Sequence, residues 1–141
     1  MKEFFDTSVL VAAFLADHPH HLASAKALAA ATRSRSCCAA HSLAEFYSVA
    51  TRLPVRPLIA PEQAMLFIQD VRDRLAIVAL DPAQYYAAIE RAAAQGVAGG
   101  RIYDALLVET ALKVRAETIY TWNLGQFRGL APQAAGRIRN P

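Results

Sequence analysis

Apolar and polar positions alternate in short blocks from the first residues onward. Phe4-Phe5 ends on Asp6; Thr7-Ser8 follows, then the apolar stretch Val9-Leu10-Val11-Ala12-Ala13-Phe14-Leu15. That order predicts a brief buried strand, a tight turn and a helix. Asp6 falls at the carboxyl end of the strand, where either Thr7 or Ser8 could cap the helix through a side-chain oxygen. His18-Pro19-His20-His21 interrupts the pattern. Pro19 breaks the helix, and three histidines so close together cannot all face one ion without a special loop, so the segment reads as a joint between helices. A second helix is predicted with Leu22, Ala25, Leu28 and Ala29 on its inner face.

Ser36-Cys37-Cys38-Ala39-Ala40 predicts a second buried strand, and His41-Ser42 opens a helix whose stripe is Leu43, Phe46, Tyr47 and Ala50. Glu45 flanks that stripe, and the helix stops before Pro54. Pro61 suits the first position of the next helix, with Ala64, Phe67, Ile68 and Val71 inward. Ala76-Ile77-Val78-Ala79-Leu80 predicts a third strand. Asp81-Pro82 opens a helix with Tyr85, Ala88, Ile89 and Ala92 inward, and Gly96 closes it. After Gly99-Gly100, a helix from about residue 101 to 115 carries the stripe Asp104, Leu107, Val108 and Ala111, with Glu109 in solvent. Thr118-Ile119-Tyr120-Thr121 predicts a fourth strand, Trp122 to Phe127 a loop at its end, and Ile138 a last short strand. Strands alternating with helices predict an α/β fold, a mostly parallel central sheet sandwiched by helices, in a single domain spanning residues 1–141.

Composition narrows the class. An apolar content of 55% over 141 residues excludes a disordered chain. The longest apolar run is too short to span a bilayer, and no secretion signal is legible, so a cytoplasmic protein without membrane contact is expected. Adjacent Cys37 and Cys38 make no disulfide framework and read as small apolar strand residues. The net charge of +3 mildly favours an anionic partner such as nucleic acid.

Three acids stand out by position. Asp6 ends the first strand, Glu45 lies early in the helix after the second, and Asp104 heads the apolar face of the helix before the fourth. Right-handed crossovers bring such positions to one edge of a parallel sheet. Carboxylates crowded there repel one another unless they share a cation or a proton. An all-oxygen cluster suits Mg²⁺ or Mn²⁺ rather than zinc, and such ions serve phosphodiester hydrolysis.

Four segments, in order, carry a family resemblance: Phe5-Asp6-Thr7-Ser8-Val9-Leu10, Ser42-Leu43-Ala44-Glu45-Phe46-Tyr47, Gly100-Arg101-Ile102-Tyr103-Asp104-Ala105-Leu106-Leu107, and Thr121-Trp122-Asn123-Leu124-Gly125-Gln126-Phe127. With them the sequence resembles PIN-domain ribonucleases, and within these the VapC-type toxins of toxin–antitoxin pairs. The resemblance implies a PIN-like fold and an endoribonuclease that hydrolyses RNA by a metal-activated water. It further implies Asp6, Glu45 and Asp104 as catalytic and metal-holding residues, Mg²⁺ or Mn²⁺ as cofactor, a small antitoxin partner and a homodimer. Thr7, Ser8, Thr121, Asn123 and Gln126 would be supporting residues, and Arg101 a phosphate contact. Phe14 and Leu15 could line an antitoxin groove or belong to the core. In one respect the chain departs from the family pattern, which places a further acid in the last segment where this chain has neutral Asn123 and Gln126. One moderately held cation is therefore expected, with Gln126→Asp tightening it. The alternative reading is a catalytically weak or inactive PIN-like module that binds RNA or protein. Dehalogenase-type phosphatases would need a second acid where Ser8 stands, and receiver domains an acidic pair near the first strand and a phosphorylated Asp after the third, for which Asp81, better read as a helix cap, is a poor stand-in.

Overall fold

The computed structural model describes residues 1–141. Strand β1 (Glu3–Phe5) runs into helix α1 (Thr7–Phe14), and α2 (His21–Ala30) leads to β2 (Ser36–Ala39). Helices α3 (Ala40–Arg52) and α4 (Pro61–Arg74) precede β3 (Ala76–Val78). Then come α5 (Pro82–Ala94), α6 (Arg101–Lys113), β4 (Thr118–Tyr120), α7 (Leu124–Leu130), a 3₁₀ segment (Pro132–Arg137) and β5 (Ile138–Arg139). All neighbouring strands are parallel, in the order β3-β2-β1-β4-β5. The chain first adds strands to one side of β1, then crosses to the other side for β4. The β1/β4 boundary is therefore the switch point, outside whose carboxyl ends open α/β sheets form their sites.

Strand residues alternate between two cores. Phe4 and Cys37 pack into a layer with Leu107, Val108 and Phe127 from α6 and α7. Phe5 and Cys38 face the opposite way, toward Val9, Leu10, Phe46, Ile68 and Val71 from α1, α3 and α4. The period-two alternation of strand side chains thus builds the sandwich directly. Both cysteines are free and buried. Burial pushes the Cys37 thiol up to about 11 and the Cys38 thiol up to about 12, so neither is a ready nucleophile.

Several inner faces differ from the periodic expectation. On α2, Leu22 is 83% exposed, while Ser24 and Leu28 are buried. Ser24 is inside because its hydroxyl accepts the indole N–H of Trp122 at 2.8 Å. On α5 only Ala88 and Ala92 are buried; Tyr85 and Ile89 remain 43% and 42% exposed. The buried alanine face of α5 lies against α6. The start of α5 is as expected: Asp81 accepts from the Gln84 N–H at 2.8 Å, and the Gln84 side chain returns the bond at 3.0 Å. Gly96 follows with φ +72°, the left-handed conformation glycine adopts without penalty. Glu109 is not simply solvated: it forms an ion pair with Arg91 at 2.7 Å between α6 and α5. The segment after β4 is largely helical, not a loop, since α7 begins at Leu124. No helix is long and apolar enough to cross a membrane.

Candidate active site

Asp6 occupies the N-cap position of α1, yet its side chain makes no capping hydrogen bond. It points instead into a pocket at the switch point, where two hydroxyls hold it. Ser8 Oγ donates to Asp6 Oδ2 at 2.6 Å, and Thr121 Oγ1 donates to the same oxygen at 2.8 Å. Those hydroxyls are themselves oriented by backbone donors: the Trp122 N–H reaches Ser8 Oγ and the Asn123 N–H reaches Thr121 Oγ1, each at 3.0 Å. Because both hydroxyls converge on Oδ2, neither occupies Oδ1.

Glu45 is held from the other side of α1. Thr7 Oγ1 lies 2.8 Å from Ser42 Oγ and 3.0 Å from Glu45 Oε1. A hydroxyl has one proton, and the acceptor-only carboxylate is the group that claims it. The buried apolar residues Phe46 and Ala50 fix the rotation of α3 and so aim Glu45 toward α1. His41, one turn earlier, brings Nε2 to 3.7 Å from Glu45 Oε1.

Asp104 lies in the first turn of α6, above the buried face of Ala105, Leu107 and Val108. Asp6, Glu45 and Asp104 share one pocket of about 310 Å³, also lined by Thr7, Ser8, His18, Trp122 and Asn123. Arg101 is exposed and outside that lining, though its charge draws the Asp104 carboxyl downward. Gln126 lies on the exposed side of α7 and does not line the pocket. The helix that replaces the expected loop turns it outward, so Asn123 is the only one of the two amides facing the acids.

The electrostatics are those of crowded acids. Burial raises the Asp6 carboxyl, against the opposing effect of the Ser8 and Thr121 hydrogen bonds. Burial likewise raises Glu45, with the Asp6 charge adding to it and Thr7 and His41 opposing it. Asp104 is pushed up to about 6, by burial first and then by the charges of Asp6 and Glu45. Such mutual repulsion is relieved by a cation. Oxygen-only donors fit a hard divalent ion, Mg²⁺ or Mn²⁺. No three side chains are already gathered as a closed ligand cluster.

Periodicity did not single out several pocket residues. Trp122 stacks on His20 with ring centroids 3.7 Å apart and an interplanar angle of 8°. His18 lines the pocket, and its Nδ1 accepts the His20 N–H at 3.0 Å. The histidine segment is therefore both a joint and part of the rim; its position beside a proline gave no hint of that. Ser42 and His41 were legible only as the opening of a helix.

A family model described as PIN domain matches residues 4–128. The Mycobacterium tuberculosis protein named Ribonuclease VapC40 is 37% identical over 114 residues, covering 81% of each chain. The crystal structure of Mycobacterium tuberculosis VapC20, described as a Sarcin-Ricin loop cleaving toxin, superposes with a TM-score of 0.74 at 20% identity, covering 99% of this chain and 100% of that one. VapBC2 from Rickettsia felis, solved bound to a DNA fragment from its promoter, gives a TM-score of 0.67 at 18% identity over 100% of this chain and 99% of that one. At those identities the solved structures establish the fold.

Proposed function

Because this chain belongs to the PIN-domain family, we propose that it is a divalent-metal-dependent endoribonuclease and the toxin of a toxin–antitoxin pair. The observation carrying this reading is the single pocket shared by Asp6, Glu45 and Asp104, each with its carboxyl raised. These residues come from three different elements, the start of α1, the body of α3 and the first turn of α6, and would hold Mg²⁺ or Mn²⁺. When bound, the ion offsets negative charge at the phosphate and makes a nearby water a better nucleophile. The chain's own residues set the geometry. Ser8 and Thr121 fix the Asp6 plane, and Thr7 holds Glu45 at the same pocket. Asn123 offers an amide at the same wall without adding charge.

An antitoxin partner is part of the proposal. An apolar cleft of about 450 Å³, lined by Phe14, Leu15, Leu53, Val55 and Ile59, adjoins the acid pocket through the shared residue His18. A short apolar segment seated there would bring a basic side chain within reach of the acids. Phe14 belongs to core and cleft alike, since it also makes edge-on contacts to Phe46 and Phe67. The homodimer expected from the resemblance is retained as part of the proposal.

The test is incubation of purified protein with structured RNAs in Mn²⁺, Mg²⁺ or EDTA. Cleavage is expected with either metal and is lost with EDTA or with Asp6→Asn. Identical cleavage by wild type and Asp6→Asn would overturn the assignment.

A further inference from the structure

A third cavity, of about 360 Å³, opens beside the acid pocket. Its lining includes His41, Ser48, Arg52 and Tyr103, and it shares Glu45 and Val49 with the acid pocket. The two are thus neighbouring compartments separated by the α3 residues they have in common. That size falls within the ~300–1,000 Å³ range of small-ligand clefts. Tyr103 is 47% exposed although it sits in the same helical turn as Asp104. One face of its ring is backed by His41, at 5.1 Å between centroids and 18° between planes. An aromatic ring held on one side and open on the other is a platform for a third planar group. Arg52 ends α3 and supplies a cation to the lining of the cavity. His41 Nε2 makes no hydrogen bond and lies 3.7 Å from Glu45 Oε1, on the residue the two compartments share.

We propose that this cavity binds one unpaired nucleotide of the RNA, adjacent to the phosphate held over the acids. Its base would stack on Tyr103 and its phosphate would meet Arg52. The inference rests on the nuclease reading, since it takes the acid pocket as the place of the cut. Planar stacking plus a guanidinium is the chemistry by which proteins hold single-stranded nucleic acid with little regard to sequence. A base-paired nucleotide cannot offer its face to Tyr103, so the cavity selects substrates that are unpaired beside the cut. Tyr103 and Arg52 are positioning residues in this scheme.

The experiment measures binding and turnover separately. Fluorescently labelled oligoribonucleotides are titrated by anisotropy in Ca²⁺ with wild type, Tyr103→Phe, Tyr103→Ala and Arg52→Gln. Cleavage kinetics are measured in Mn²⁺. Tyr103→Ala is expected to weaken binding and raise KM about tenfold, with kcat little changed and Tyr103→Phe close to wild type. Arg52→Gln should reduce the slope of log affinity against log salt by about 0.7, the value for one phosphate on a single strand. A set of oligonucleotides with one abasic position each then locates the stack. At one position next to the cut, removal of the base should cost wild type about tenfold and cost Tyr103→Ala nothing. Equal losses for wild type and Tyr103→Ala at every position would overturn the subsite while leaving the nuclease reading intact. Absence of cleavage by wild type in Mn²⁺, with the abasic pattern preserved, would instead overturn the nuclease reading. Sedimentation of the same variants tests the competing occupant, a second copy of this chain. A dimer broken by Tyr103→Ala with RNA affinity unchanged would assign the cavity to self-association and refute the proposal.

Discussion

Thr121 and Asp6 stand 115 positions apart in the chain, and the Thr121 hydroxyl donates to Asp6 Oδ2 at 2.8 Å. The bond crosses from the end of β4 to the end of β1, over the boundary where the topology reverses. It ties the last segment of the site to the first and spends a buried hydroxyl on one chosen carboxylate oxygen. Thr121→Val keeps the shape and removes the donor. The Asn123 N–H then loses its acceptor and Asp6 loses one of two hydroxyls. We expect a loss of about 1–3 kcal/mol in urea unfolding, the usual cost of leaving buried polar groups unpaired. RNA cleavage should fall further than stability predicts. A variant with wild-type unfolding and wild-type cleavage would show that Ser8 alone orients Asp6.

A pH dependence follows from Asp104, whose carboxyl is raised from 3.8 to about 6 in the folded protein. Between those values the folded chain holds a proton that the unfolded chain has released. Metal-free stability therefore falls as pH rises from about 4 to about 6, and levels off above. Asp104→Asn should flatten this part of the curve. The effect is on the order of 1 kcal/mol, allowing for solvent screening at a half-buried group. Metal binding has the opposite trend, because carboxylates ligate only when deprotonated. Mn²⁺ affinity, read by calorimetry, should weaken steeply below about pH 6.

The acids are coupled, and one of them can be neutralised to read another. Asp6 and Glu45 both raise Asp104 by charge. Glu45→Gln removes one of those charges while leaving an amide oxygen to accept from Thr7. The Asp104 titration, followed by NMR of its side-chain carbon, should then move to lower pH. The same substitution should weaken Mn²⁺ binding. An unmoved Asp104 titration would mean that burial and the Asp6 charge set its value without Glu45.

Much of this architecture was legible because period-two and period-3.6 patterns report burial by one chain segment at a time. β1, β2 and β4 are short apolar runs, and the stripes of α3, α4 and α6 match their buried faces. The pattern failed where burial depends on a distant polar partner. Ser24 is inside and Leu22 outside because Trp122, 98 positions away, donates its indole N–H to Ser24 at 2.8 Å. On α5, alanines rather than the larger Tyr85 and Ile89 are buried, a choice periodicity could not make because the alternative stripes share the same period. Asp6 and Asp104 were legible by their places at a strand end and a helix start, and Glu45 by its place beside the stripe of the helix after β2. Ser8 and Thr121 were named only through the family resemblance, and neither their bonds to Asp6 nor the His41–Tyr103 pair could be read from periodicity, since each joins residues from separate elements.

The last segment of the site carries the sharpest test of charge against geometry. Counting charges alone, an acid restored at either amide position, Gln126 or Asn123, would tighten the metal. The fold separates the two positions. Gln126 is on the outer side of α7, whereas Asn123 lines the pocket with the three acids. At an effective dielectric of ~20, a unit charge ~5 Å from a divalent ion is worth several kcal/mol before desolvation. Repulsion from Asp6 and Asp104 and the remaining solvent exposure of Asn123 remove most of that. We therefore expect Asn123→Asp to tighten Mn²⁺ several-fold, a net gain of about 1 kcal/mol, and to raise the Asp104 carboxyl further in the metal-free protein. Gln126→Asp should change neither quantity, although both substitutions add the same charge to the chain. Calorimetric titration with Mn²⁺ and the Asp104 titration by NMR read the two effects independently. If Gln126→Asp tightens binding as much as Asn123→Asp does, the gain comes from the general field of the chain and not from the wall of the pocket.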